Sequence, residues 1–352
     1  MKSFRCQNCS QIIFFENAQC LRCGSALGYL PATFTLSALT ATGEGCWRAV
    51  DGGLYKRCKN GIDWQNCNWM VPFDSQTDYC VSCDLNETIP NLSSPVNLEY
   101  WRTLEQGKRR LVYGLMRFGL PLPNKKYVGT GGLAFEFLKE AERPRSENDR
   151  VMTGHANGKI TVNIAEADDL ERERIRLNLN EVYRSVLGHF RHESGHFYWW
   201  YLVQNSPRHA RFQHLFGDEQ VNYEQAIRSY YANGPATNWE NNYVSAYSSS
   251  HPWEDWAESW AHYLTIVDAL ETAQGFGVEV TLDHTQNLFP TTDSYRAYTF
   301  DEMLQQWLPL TYAVNSINRS AGQSDLYPFV LPGPAIDKLR FVHDVIRSAR
   351  VA

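Results

Sequence analysis

The chain contains no uninterrupted run of about 18 apolar residues, so nothing in the sequence is built to span a bilayer. Its start, MKSFRCQNC, has no apolar h-region and does not read as a secretory signal. No block of lysine and arginine offsets the formal charge of -6, which argues against a general phosphate-binding surface. Cysteine is absent beyond Cys83, and there is no internal repeat or low-complexity tract. Together these absences point to the cytoplasm, where thiols stay reduced or bind metal rather than pairing as disulfides. What is present, 352 residues with 43% hydrophobic, suffices for at least one full core and allows two or three units.

The nine cysteines therefore carry the first positive signal. Cys6, Cys9, Cys20 and Cys23 spell two CxxC pairs, and each pair can place two thiolates on one side of a tight turn. Two such pairs complete a tetrahedral sulfur shell around zinc. Cys80 and Cys83 make a third CxxC, and Cys58 with Cys67 could supply the other half of a second site; spacing alone does not exclude Cys46. Four sulfurs saturate a tetrahedral zinc, so both sites read as structural. Modules with so little core need such staples.

From Thr88 the text turns to IPNLSSPVN, which suits a linker. A helix is predicted near Glu99–Phe118, where Leu104, Leu111, Leu115 and Met116 recur at helical spacing. A strand is predicted over Lys159–Ala165, with Ile160, Val162 and Ile164 on one face. The run from Asp168 reads as one long or two successive helices that stop before Pro207, and further helical patterns fall near 217–232, 252–273, 299–316 and 335–349.

HFRHESGHFYWW, residues 189–200, contains His192-Glu193-Ser194-Gly195-His196. On a helix the two histidines stand one turn apart on one face and can reach one ion, while Glu193 lies about 100° round, close to a metal-bound water. Neutral imidazole suits zinc, and a carboxylate is needed to take a proton from activated water. HExxH also occurs by chance, but Val182, Val186, Leu187, Phe190, Phe197, Trp200 and Tyr201 mark a buried helix, where unpaired His and Glu would be costly. Gly195 suits the tight approach of another element. His189 falls in the same arc and reads equally well as a structural histidine. Downstream, SSSHPWEDWAESWAHYL opens a helix at Ser250 or His251, with Pro252 in its first turn. Trp256, Trp260 and Leu264 read as core, while Glu254, Glu258 and His262 form a polar stripe. By spacing either glutamate can face the metal; Glu254 as ligand leaves Glu258, one turn on, to hydrogen-bond a ligand histidine.

The chain resembles a bacterial family of zinc-binding metallopeptidases that carry an N-terminal zinc ribbon. The matching pieces are CQNCSQIIFFENAQCLRCG, CNWMVPFDSQTDYCVSC, GLAFEFL, NIAEADD, LGHFRHESGHFYW, SAYSSSHPWEDWAESWAHYL and KLRFVHDVI, which span nearly the whole chain. The resemblance implies an α+β protein: a small cysteine-rich zinc-ribbon region, then a mainly helical zincin-like domain with a small β-sheet. The expected units are a ribbon over 1–28, a second cysteine-rich module over 29–93 and a metallopeptidase domain over 94–352. The resemblance favours Cys58, Cys67, Cys80 and Cys83 as the second set, and a glutamate-ligand centre in which Glu254 is followed by a bracing Glu258.

The expected chemistry is hydrolysis of a peptide or protein at zinc held by His192, His196 and Glu254, with Glu193 as general base. One catalytic and two structural zinc ions are implied. Tyr247, His251 and Tyr243 are candidates for stabilising the oxyanion, with His262 a weaker one. The strand Lys159–Ala165 could pair with an extended substrate. The rival reading is a ribbon-bearing adaptor that binds a protein partner and whose third metal site is closed by a fourth protein ligand. Lys2, Arg5 and Arg22 form no basic patch, so nucleic acid is not an expected partner.

Overall fold

The computed structural model describes residues 2–140, 151–168, 185–280, 293–296, 299–327 and 330–350. Near the start, strands β1 (Phe4–Arg5) and β2 (Ile12–Ile13) pair antiparallel and carry the first CxxC in the turn between them. A five-stranded antiparallel sheet follows, in the order β3 (Ala26–Leu30), β4 (Thr35–Gly43), β5 (Cys46–Ala49), β6 (Leu54–Arg57) and β7 (Met70–Pro72), with helix α1 (Lys59–Trp64) between its last two strands. The sheet curls until its two edges meet, where the Tyr29 N–H donates to the Asn68 carbonyl at 2.8 Å. Inside the curl, the rings of Phe15, Tyr29 and Trp69 pack with centroids 4.8 Å apart for the first two and 4.8 Å for the last two.

That aromatic cluster does not end at the ribbon. Phe15 also meets Tyr113, at 5.4 Å, on the long helix α2 (Pro95–Phe118). One apolar core consequently runs from Phe4 to Ile346. Helix α2 begins a turn earlier than the periodicity suggests because Ser94 caps it and Pro95 occupies its first position, where a missing N–H costs nothing.

The second sheet is assembled from distant pieces, in the order β10 (Gly154–Ala156), β11 (Lys159–Asn163), β9 (Ala134–Leu138) and β8 (Asn86–Thr88). Strand β8, just after the last cysteine, pairs parallel with β9. Strand β11 buries Ile160 and Val162 as expected, but it stops at Asn163, whose side chain accepts the Ala165 N–H and turns the chain into Ile164–Ala167. It is also an interior strand, parallel to β9 on one side and antiparallel to β10 on the other. The expectation that Lys159–Ala165 receives an added strand is therefore corrected. Among the described residues the sheet ends at β10, and that edge lies beside the HExxH helix.

The remaining elements are helical: α3 (Lys125–Val128), α4 (Val186–Leu202), α5 (His209–Phe216), α6 (Tyr223–Asn233), α7 (Pro252–Gly275), α8 (Phe300–Ser320) and α9 (Gly333–Ser348). The result is an α+β protein whose second part is mainly helical. Three of the four late helical patterns appear where periodicity puts them. The one near 217–232 begins later, at Tyr223, because the Asn222 side chain caps it. Of the helical run expected from Asp168, residues 169–184, with Val182, lie outside the described residues, and a helix begins at Val186. No described helix is long and apolar enough to cross a membrane.

Helices α4 and α7 form the central pair. A Cβ on Gly195 would lie 3.0 Å from the Ala257 Cα, so only glycine lets the backbones approach this closely. Trp256 Nε1 donates to the Gly195 carbonyl at 2.8 Å and Trp260 Nε1 to Ser194 Oγ at 3.1 Å, while Tyr198 stacks on Trp260. One turn before Gly195 on α4, Arg191 reaches Asp268 of α7 at 2.6 Å. Helix α9 backs α7 through the buried Lys338–Asp255 pair, at 2.6 Å.

Candidate metal centres

Among the described residues, three groups of side chains bring potential ligand atoms within 4.8 Å of one another. The first is Cys6, Cys9, Cys20 and Cys23, with Sγ separations of 3.6 Å for Cys6–Cys23 and for Cys9–Cys20. The second is Cys58, Cys67, Cys80 and Cys83, all buried. Cys46 is not in it: it pairs with Lys56 in the β5–β6 ladder, and its sulfur does not join the other four.

Both cysteine groups fit zinc by their chemistry, and the second carries an additional sign. The buried Arg109 has an Nη1 with no hydrogen-bond partner in the structure. Burial opposes its charge, while Cys67, Glu105, Cys83 and Cys80 favour it. Its ion pair with Glu105 is long, 3.7 Å from Nη1 to Oε2, and a tetrathiolate zinc is a doubly negative neighbour that would further offset the cost of burying the charge. Arg109 comes from α2, outside the cysteine-rich segment, and motif spacing gave no hint of it.

The third group is His192, His196 and Glu254. Ser185 caps α4 by accepting the Gly188 N–H at 3.0 Å, and the helix then presents both histidines on one face, with ring centroids 5.0 Å apart. Helix α7 starts at Pro252 because His251 caps it, which brings Glu254 into the first turn facing α4. Glu254 Oε2 is 3.0 Å from His192 Nε2, and its Oε1 is 3.6 Å from His196 Nε2. Glu258, one turn on, lies against the other nitrogen of His192, with Oε1 2.7 Å from Nδ1. Ser245 Oγ donates to the remaining Glu258 oxygen at 2.7 Å. Glu254 thus faces Nε2 of both histidines, while Glu258 holds His192 from behind.

The electrostatics of this group call for a cation. Burial raises the cost of ionising Glu254, yet His196 and His192 hold its carboxyl well below the usual range. Glu258 is likewise penalised by burial but is held at about 2, chiefly by His192. Burial opposes charge on His192 too, and the two carboxylates on its two nitrogens outweigh that and hold it well above the usual range. Either a proton or a metal must satisfy two buried carboxylates here, and the Nε2, Nε2, carboxylate donor set is one that zinc accepts.

Glu193 is buried beside this group and lines a narrow cleft with Glu166, His189 and Thr153. His189 pairs with Glu166 through Nδ1 and contributes nothing to the ligand group. The Tyr247 ring lies 6.0 Å from that of His192. His251 has both nitrogens engaged: Nδ1 accepts the Trp253 N–H and Nε2 donates to the Val221 carbonyl, each at 3.1 Å. It is a capping side chain with no free donor, which corrects its candidacy for the oxyanion. Tyr243 lies under Lys338 instead, its ring centroid 4.2 Å from Nζ, and His262 pairs with Tyr327. Two residues at the site escaped sequence reasoning. Tyr223, capped into place at the start of α6, donates its hydroxyl to Glu254 Oε1 at 2.8 Å. His155 of β10 stacks on His196 with centroids 6.5 Å apart. Neither belongs to a local pattern that spacing could have exposed.

Comparison with known proteins gives matches along nearly the whole chain. Residues 97–345 match a family described as "Putative zinc-binding metallo-peptidase", and residues 3–94 match a zinc-ribbon domain. Proteins of Mycobacterium bovis and Mycobacterium tuberculosis, both described as uncharacterized, are 39% identical over 350 residues, covering 98% of this chain and 95% of theirs. No solved structure matches the chain.

Proposed function

The chain belongs to this zinc-binding metallopeptidase family, with a zinc ribbon at its N-terminal end, and from that premise we propose that it hydrolyses peptide bonds at the His192–His196–Glu254 centre. The observation that carries the reading is the three-member donor group with Glu193 buried beside it. A zinc ion held there would supply Lewis acidity, lowering the pKa of a bound water and polarising the scissile carbonyl.

The chain's own residues do the rest. Glu193 accepts a proton from the attacking water as the carbon–oxygen bond forms. It then delivers that proton to the amine nitrogen as the carbon–nitrogen bond breaks, so one water is consumed and one acid and one amine leave. Glu258 fixes the ring of His192 through Nδ1, and Ser245 fixes Glu258. Tyr247 is the oxyanion donor in this reading, since its ring borders that of His192, while the Tyr223 hydroxyl is committed to Glu254 and steadies that carboxylate. An extended peptide or protein segment fits along the outer edge of β10, the strand end of the sheet nearest the metal helix.

Two further zinc ions, held by the cysteine groups, have structural roles because four sulfurs leave no open position. The adaptor alternative requires a fourth protein ligand at the third site, and among the described residues that group has only three members. A peptide-library cleavage screen of wild type against Glu193→Gln tests the proposal. The variant is expected to keep its zinc and lose about 10²- to 10⁴-fold in rate, because an amide cannot accept the proton. Cleavage by Glu193→Gln at the wild-type rate overturns it, as does an inert wild type carrying its full complement of zinc.

A further inference from the structure

His155, in the middle of β10, has no part in the chemistry above. Its ring is nearly parallel to that of the metal-site histidine His196, with 15° between the planes, and stands edge-on to Phe197 at 6.2 Å. The Gly158 N–H donates to His155 Nε2 at 3.1 Å. A ring nitrogen that accepts from an amide carries no proton, so the imidazole is neutral at that atom and its proton resides on Nδ1. Among the described residues, nothing accepts from that Nδ1.

The ring is also held in a rigid frame. Asn157 and Gly158 have φ of 51° and 80°, the left-handed pair of a tight two-residue hairpin turn between β10 and β11. A Cβ on Gly158 would meet the Gly132 carbonyl oxygen at 2.0 Å, so this turn requires glycine for space as well as for conformation. Lys125 Nζ donates to the Asn157 carbonyl at 2.6 Å and ties the same turn to α3. Strand β10 is paired on the β11 side, and among the described residues its other side ends the sheet.

We propose that His155 is a substrate-binding residue: its Nδ1–H donates to a backbone carbonyl of a peptide lying extended along the outer edge of β10, beside His196. The inference rests on the peptidase reading. At about 3.3 Å per residue of extended chain, a ring centred 6.5 Å from that of His196 is within reach of a carbonyl one or two residues from the scissile bond. His155 is outside the metal group itself, and as a neutral donor it can polarise a carbonyl without competing for the zinc.

The zinc-loaded full chain, titrated with two probes, provides the test. Acetohydroxamate reaches only the metal, whereas a phosphinic peptide adds backbone carbonyls on either side of its metal-binding group. His155→Phe is expected to weaken the phosphinic peptide about tenfold and leave acetohydroxamate binding and zinc content unchanged. His155→Asn, whose side-chain N–H can take the place of Nδ1–H, is expected to restore most of the loss. Equal affinity of wild type and His155→Phe for the phosphinic peptide overturns the assignment. A parallel loss of both probes or of zinc overturns it too, because that is what a packing role gives. A wild-type chain that binds zinc at His192, His196 and Glu254 but not acetohydroxamate overturns the peptidase reading instead.

Discussion

In the first 83 residues eight cysteines form two groups of four, whereas between α4 and α7 two histidines and one glutamate form a group of three. The surroundings differ as much as the number. The cysteine groups lie among short strands and turns, such as the two-residue pair β1–β2, which cannot hold their shape by packing alone. The His/Glu group lies between helices already clamped by Trp256, Trp260, Tyr198 and the Arg191–Asp268 pair. In the proposed reading, metal in the first region ties short strands and turns onto the shared core, whereas in the second region packing alone holds the helices and the metal is left free for chemistry.

That contrast predicts opposite consequences for losing a ligand. Cys80→Ser should reduce zinc, measured by elemental analysis, from about three ions per chain to two. It should also cost several kcal/mol of stability, given about 10–16 kcal/mol for structural zinc in small modules. The damage should spread, because the buried Arg109 would lose the negative charge of the cysteine group and keep only its 3.7 Å pair with Glu105, and Gly107 on the same helix faces Val186 and Phe190 of α4. A Cys80→Ser variant with unchanged zinc and unchanged thermal midpoint would remove the second cysteine site.

Glu254→Ala should likewise lose one ion, but with little change in thermal midpoint, since the helices that carry the site are held by packing. A collapse as severe as that of Cys80→Ser would erase the distinction between the two regions. Glu258→Ala should be milder, weakening zinc at the third site by roughly 10- to 100-fold in a competition titration, as loss of a ligand's hydrogen-bond brace usually does. If Glu258→Ala proves the more damaging of the two, the ligand is Glu258. The smallest expected effect is that of Gly195→Ala. The added methyl would push α4 from Ala257 and Trp260 at a cost of about 1–3 kcal/mol, read by denaturant unfolding, with all zinc retained.

The two regions were also unequally legible in sequence. A CxxC turn is a local object, so Cys6, Cys9, Cys20 and Cys23 could be read from spacing. Two histidines at i and i+4 are local in the same sense, and helix phase linked Glu254 to Glu258. What stayed hidden depends on distant chain. Cys46 drops out only in three dimensions, where its sulfur does not join those of Cys58, Cys67, Cys80 and Cys83. His251 falls near the site in sequence, but capping geometry turns both its nitrogens inward. Tyr223 and His155 arrive from separate elements, and no periodicity announces them. The interior position of β11 follows from a parallel partner, β9, that lies across residues 141–150, and such pairing leaves no alternating signal of its own.

The most direct test of the open-versus-closed contrast is anomalous diffraction at the zinc edge from crystals of the zinc-loaded chain. Three peaks are expected: two each surrounded by four cysteine sulfurs, and one bound by His192 Nε2, His196 Nε2 and a Glu254 oxygen with a solvent oxygen completing its shell. A fourth protein side chain in place of that solvent at the third peak, or no third peak at all, would contradict the account.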